Sequence, residues 1–331
     1  MVLTVKVVLK NAQKVKEELK SEDLYNNEYK ILKEGEFLFI PITKKIAKYI
    51  IANKNCEKIE KLNSIKDYLK DRLKNKELEL MPSSYDVVGD IAILELDQDQ
   101  TKIEMKIANA ILQVHKKVRT VVKKASEHGG EFRIRKTKYI AGDRNKVTVH
   151  RESGVQIKLD IDKAYFSVRS SNERLRIAHL IRTPENVLVM FSGVAPYGLV
   201  IAKNSRAKRI VCIEKNPIAH KYALENIKIN SLTNVEAIKG DVKKIIPTLN
   251  EKFNRIIMPL PKTAMDFLPL ALNVAKKGTE IHLYLILETR DIGKICRQIK
   301  QNYKNIRIIR KVQCGTFSPT KIRMCFDLRV Q

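Results

Sequence analysis

Hydrophobic positions change rhythm along this chain. From residue 186 onward, unbroken apolar runs alternate with stretches of helical spacing. Residues 186–192 (NVLVMFS), 209–215, 235–241, 254–260 and 280–287 predict strands, and 217–230, 263–277 and 288–304 predict helices. Strands covered on both faces read as continuous apolar runs, whereas half-exposed strands alternate. These five are therefore expected to lie parallel, with helices packed on the sheet. The last two runs, 306–316 and 321–330, have no helix between them, and strands joined by a short turn are antiparallel. The expectation is an α/β, Rossmann-like domain over residues 166–331 that ends in an antiparallel hairpin.

Upstream the pattern is finer. Residues 2–9 and 34–42 read as strands, and 12–22 and 43–54 as helices, which predicts a small α/β module over 1–60. Residues 61–83 are charged and read as a linker. Over 84–165, strand-like runs at 85–96 (broken at Gly89-Asp90), 129–142, 146–161 and 163–169 surround a helical stretch at 102–118. A second small α/β or α+β domain is expected there.

Charge adds a partner to this picture. The 331 residues carry a net charge of +27, far more than solubility requires. Such an excess points to a polyanion, nucleic acid or an anionic membrane. No run of about 18 apolar residues is present to cross a membrane, and the N-terminus is too charged for a signal peptide. A cytoplasmic location is expected. Tryptophan is absent and aromatics make up 6%, which argues against a broad stacking platform for single strands. Five cysteines with no C-x-x-C spacing are expected to be reduced, and no metal site is expected. No motif points to a protein partner, so a monomer is expected.

Candidate chemistry lies at the strand ends, where doubly wound sheets bind ligands. The first strand ends in Ser192-Gly193-Val194-Ala195, and Gly193 lets a ligand approach the backbone. The second ends in Glu214, 21 residues beyond Gly193, where an acid can hold ribose hydroxyls. The third ends in Gly240-Asp241, where an acid can accept from the adenine amine. Ribose and adenine contacts without a pyrophosphate cradle suggest S-adenosylmethionine (SAM). Five parallel strands with a terminal hairpin are also the pattern of class I methyltransferases. NAD, and a binding module without chemistry, stay open on these residues alone. The expected cofactor set is Phe191, Gly193, Ala195, Glu214, Lys215, Asp241, Val242 and Pro259.

Methyl transfer to a protonated guanine nitrogen needs a base at that nitrogen and a cation at the carbonyl oxygen. The blocks GGEFRIRKTKYIAGDRN (129–145), DKAYFSVRSSNERLRIA (162–178), MFSGVAPYG and RIIMPLPKTAMDFL (255–268) resemble the archaeal and eukaryotic tRNA (guanine-37-N1) methyltransferase family. That resemblance implies Glu173 as general base and Arg133 as the arginine that stabilises the guanine carbonyl oxygen. It also implies Arg169 at SAM and Tyr165 near the target base, with Arg135 and Pro261 as further substrate contacts. The chain departs from the family pattern at Val189, at Ala195 and at Pro259, where relatives carry an asparagine. By the same resemblance, the 1–60 module contacts tRNA, and lysines and arginines over 102–150 hold phosphates. Carbon-7 methylation of a wyosine precursor, and non-catalytic tRNA binding on a degenerate SAM fold, are the alternatives.

Overall fold

The computed structural model describes residues 1–58, 64–70, 72–82, 84–126, 129–260 and 263–331. Its contacts divide the chain into two compact units, Met1–Lys74 and Asn75–Gln331.

The first unit is a small sheet with helices. Strands β1 (Val2–Val8), β2 (Leu32–Glu34), β3 (Phe37–Pro41) and β4 (Ile51–Lys54) pair in the order β2-β3-β1-β4, all antiparallel. Helix α1 (Ala12–Ser21) buries Ala12, Val15 and Leu19, one face at helical spacing, against Val5, Val7 and Ile40. A single turn, α2 (Ile65–Leu69), is closed by a capping box between Ser64 and Asp67. The helix expected at 43–54 does not form. Residues 51–54 are a strand that pairs with Val2–Val5, and 43–50 are irregular. Over so short a run apolar spacing fits either period, and the open edge of β1 decides between them.

The second unit begins with α3 (Asn75–Glu79) and a four-stranded sheet of β5 (Asp86–Val88), β6 (Ile91–Leu94), β7 (Thr120–Lys124) and β8 (Thr137–Gly142). Helix α4 (Glu104–Val114) packs on β7 and β8 through Ile107, Ala108, Ala110 and Ile111. Hairpin β9 (Val147–Glu152) and β10 (Val155–Asp160) follows, and then α5 (Ser171–Leu180). Residues 163–169, expected as a strand, instead form a turn on the Asp160 carbonyl and enter a short 3₁₀ turn at Val168–Ser170.

The large sheet contains β11 (Asn186–Val189), β12 (Arg209–Glu214), β13 (Val235–Lys239), β14 (Phe253–Met258), β15 (Ala275–Glu288), β16 (Ile306–Thr316) and β17 (Lys321–Val330). Between them run α6 (Pro196–Asn204), α7 (Pro217–Ile229), α8 (Val242–Ile245), α9 (Leu268–Asn273) and α10 (Ile292–Asn302). The strand order is β13-β12-β11-β14-β15-β17-β16, parallel through β15 and antiparallel at β17 and β16. This is the expected Rossmann-like sheet with its terminal hairpin. Core residues Val187, Leu188, Val189, Ile256 and Ile257 are fully buried, as strands covered on both faces must be.

Two asparagines tie the β9–β10 hairpin to this layer. Asn226 and Asn230 on α7 each accept from and donate to the β10 backbone, at Lys158 and Gln156, over 2.7–3.0 Å. The hairpin therefore joins one core with both the large sheet and Val88, Ile91 and Val122 of the preceding sheet. All five cysteines are free. Burial pushes the Cys212 thiol up to about 12, which leaves it unreactive.

Candidate active site

The carboxyl ends of β11, β12, β13 and β14 open on one cavity of about 260 Å³. Its lining includes Phe191, Gly193, Glu214, Lys215, Asp241, Val242 and Pro259. The loop after β11 holds three left-handed residues, with φ of 54° at Phe191, 58° at Gly193 and 65° at Ala195. Non-glycine residues in this region are strained, and such strain gathers at functional loops. Gly193 N donates to Glu214 Oε2 at 2.6 Å, and Asn216 N donates to Oε1 at 2.7 Å. Burial pushes the Glu214 carboxyl up, and these backbone donors oppose it. Each oxygen keeps a further lone pair. Asp241 caps α8 and pairs with Lys215 Nζ at 2.8 Å. Phe191 and Phe267 stack edge-to-face 4.9 Å apart at the same cavity.

Acids at the ends of the second and third strands, apolar walls and a glycine at the first turn suit an adenosine-bearing cofactor. An orphan polar atom lies alongside. Ser192 Oγ is buried and has no hydrogen-bond partner among the described residues. Two expected cofactor residues sit elsewhere. Ala195 is fully buried and lines none of these cavities; its φ of 65° turns the chain into α6, where Pro196 takes the first helical position. Arg169 donates to Asp86 Oδ1 at 2.8 Å and faces a different cavity.

Glu173 lies in the first turn of α5 and is 6% exposed. It lines a narrow cavity that shares Tyr165, Phe191, Gly193 and Pro259 with the cofactor cavity. A third cavity, of about 600 Å³, contains Arg133, Arg135, Arg169 and Tyr165. Tyr165 lines all three. Arg133 has a φ of 50°, and its guanidinium lies 5.5 Å from the centre of the Tyr165 ring. Burial lowers its pKa, but an arginine keeps its charge in a protein. Arg135 Nε is buried without a hydrogen-bond partner among the described residues. Pro261 lies outside the described residues.

The groups around Glu173 were not among the expected site residues. Arg176 donates to it from Nε at 2.7 Å and from Nη2 at 2.8 Å, and the Tyr284 hydroxyl donates to Oε1 at 2.6 Å. Arg176 stands three positions along α5, so helical spacing alone places it beside Glu173. Tyr284 reads only as a core residue of a central strand. Phe267 and Thr263 of the cofactor cavity were also missed.

Strand order and site together define a class I SAM-dependent methyltransferase. The TRM5/TYW2 methyltransferase domain matches residues 148–310, the TYW2 N-terminal domain residues 65–145, and the tRNA methyltransferase 5 N-terminal domain residues 4–50. The chain is 37% identical, over 100% of its length and 99% of the relative's, to the tRNA (guanine(37)-N(1))-methyltransferase Trm5b of Pyrococcus abyssi. The crystal structure of that organism's Trm5b covers 100% of both chains with a TM-score of 0.73 and 34% identity. The structure of aTrm5 in complex with tRNALeu covers 99% of this chain and 100% of its own, with a TM-score of 0.73 and 29% identity. This chain belongs to the TRM5/TYW2 methyltransferase family.

Proposed function

We propose that this protein methylates N1 of guanine-37 in tRNA, with Glu173 as general base and Arg133 as the cation at the guanine carbonyl oxygen. The carrying observation is the position of Glu173, buried in a cavity that abuts the cofactor cavity at Gly193 and Tyr165. Glu214 and Asp241 hold the adenosine part of SAM, and the backbone around Gly193 faces its methionine part. Bound SAM supplies a methyl group on a positively charged sulfur. Guanine N1 carries a proton, which Glu173 accepts as the N1–methyl bond forms. Negative charge develops on the carbonyl oxygen as the proton leaves, and Arg133 opposes it. It is discharged as N1 takes the methyl and the sulfur–methyl bond breaks to release the neutral thioether. Tyr165, at the meeting of the three cavities, offers a ring face to the splayed base. Arg169 and Arg135 line the cavity beyond it, where flanking nucleotides would lie. Lysines and arginines over 102–150, and the first unit, hold tRNA without reading its sequence.

The test uses labelled SAM and unmodified tRNA transcripts carrying G or A at position 37, with the modified nucleoside identified by mass spectrometry. The expected product is N1-methylguanosine from the G37 transcript and none from A37. Methylation of A37, or transfer only to carbon 7 of a wyosine precursor, overturns the reading. Among the described residues, no helix is long and apolar enough to cross a membrane.

A further inference from the structure

Behind Glu173 runs a chain of buried polar groups that base catalysis alone does not call for. Arg176 grips Glu173 with Nε and Nη2, and also donates to Asp327, from Nη1 to Oδ2 at 2.9 Å and from Nη2 to Oδ1 at 3.2 Å. Asp327 Oδ1 meets His282 Nδ1 at 2.6 Å, and His282 Nε2 meets Arg255 Nη1 at 2.7 Å. Arginine only donates, so His282 Nε2 accepts and Nδ1 carries the proton to Asp327. Arg255 is held in turn by Glu185 and Glu280. His282 and Asp327 are direct partners across β15 and β17, so sheet register sets their contact. His282, Asp327, Arg255 and Tyr284 are all buried.

A carboxylate offers about four lone-pair positions. At Oε1 of Glu173 both are taken, by the Tyr284 hydroxyl and by Arg176 Nη2. At Oε2 one is taken, by Arg176 Nε. We propose that Arg176 and Tyr284 are positioning residues that leave Glu173 a single free acceptor position, on Oε2, and so fix the direction from which the guanine N1 proton is taken. Asp327, backed by His282, keeps the Arg176 fork in the plane of the carboxylate. Unrestrained, the terminal torsion of a glutamate is broad, so a proton would meet the base in many orientations. Burial pushes the Tyr284 hydroxyl far above its ordinary range, which keeps it a donor. This inference rests on Glu173 being the base.

Among the described residues, the charged and titratable groups around Glu173 are Arg174 and Arg176 on its own helix, Tyr165 ahead of that helix, Tyr197 on α6, Tyr284 on β15, and Arg323, Cys325 and Asp327 on β17. The experiment compares Tyr284→Phe, Arg176→Lys and Glu173→Gln in the full chain. Single-turnover methyl transfer to G37 tRNA is measured across pH, SAM affinity by calorimetry, and folding by thermal unfolding. Tyr284→Phe removes one oxygen from a buried ring, and Arg176→Lys keeps the charge but loses the fork. Both are expected to slow transfer roughly tenfold or more with SAM affinity and tRNA KM unchanged. If Glu173→Gln is inactive while folded Tyr284→Phe keeps the wild-type rate, the positioning role is overturned and the base stands. If Glu173→Gln itself transfers at the wild-type rate, the base assignment falls with it. Should Arg176→Lys fail to fold, Tyr284→Phe decides alone.

Discussion

Helix α5 carries two arginine–carboxylate pairs of similar geometry, one with its arginine buried and one with its arginine 23% exposed. On one side, Arg174 grips Glu152 of β9 at 2.5 and 2.6 Å. On the other, Arg176 grips Glu173 at 2.7 and 2.8 Å. The Glu152 and Glu173 side chains are 5% and 6% exposed. The difference lies in what else reaches each carboxylate. Glu152 has His150 as its other neighbour, and its arginine ties off on the Ser167 carbonyl. Glu173 shares its arginine with Asp327 and faces a cavity. One pair is closed on structural partners, and the other leaves an oxygen of its carboxylate open beside a cavity, as the proposed base requires.

Glu173→Gln is the sharpest way to break this comparison. It preserves shape but removes the base, and transfer is expected to fall by about 100-fold or more, read by single-turnover kinetics, with folding retained. Glu152→Gln is expected to do the reverse. It leaves Arg174 buried without its counter-charge and lowers stability by about 3 kcal/mol, measured by denaturant unfolding at neutral pH. Burial pushes Glu152 up, but His150 and Arg174 outweigh it and bring its pKa from 4.5 down to about 2. A carboxyl depressed in the folded state stabilises the fold above its unfolded pKa and loses that contribution as pH falls. Wild-type stability is therefore expected to drop between pH 4.5 and about 2, and Glu152→Gln to flatten part of that drop.

A smaller effect is expected at the cofactor cavity. Glu214→Ala removes the acid that accepts from Gly193 and Asn216, and SAM affinity by calorimetry is expected to weaken about 10- to 100-fold. The smallest effect is expected at Ala195. Its left-handed backbone suits glycine, so Ala195→Gly is expected to change stability by less than about 1 kcal/mol. SAM affinity is expected to stay unchanged in the same titration, and a marked loss would show that the residue touches the cofactor after all.

Much of the fold was legible because its signals are local. The apolar runs at 306–316 and 321–330 coincide with β16 and β17, since a hairpin needs only a turn between two strands. Phe191, Gly193, Glu214, Lys215, Asp241, Val242 and Pro259 line one cavity because of their places at strand ends. Residues 43–54 and 163–169 misled, because one pairs with a strand far away in sequence and the other is drawn into a turn on Asp160. The setting of Arg169 could not be read from spacing either. Asp86, on a strand of another sheet, claims its guanidinium.

Spacing along one helix is enough to set Arg176 beside Glu173, and strand ends mark where Gly193 and Glu214 lie. Spacing could not bring Tyr284 to Glu173, 111 residues away, or Asp327 to Arg176, 151 residues away. Those meetings depend on strand register and on the packing of α5 against β15 and β17. Periodicity records which face of an element is buried, but not which residue of another element it will meet. The sequence by itself determined the class of sheet and the strand ends at which the candidate site lies. Tertiary structure alone decided how Glu173 is held.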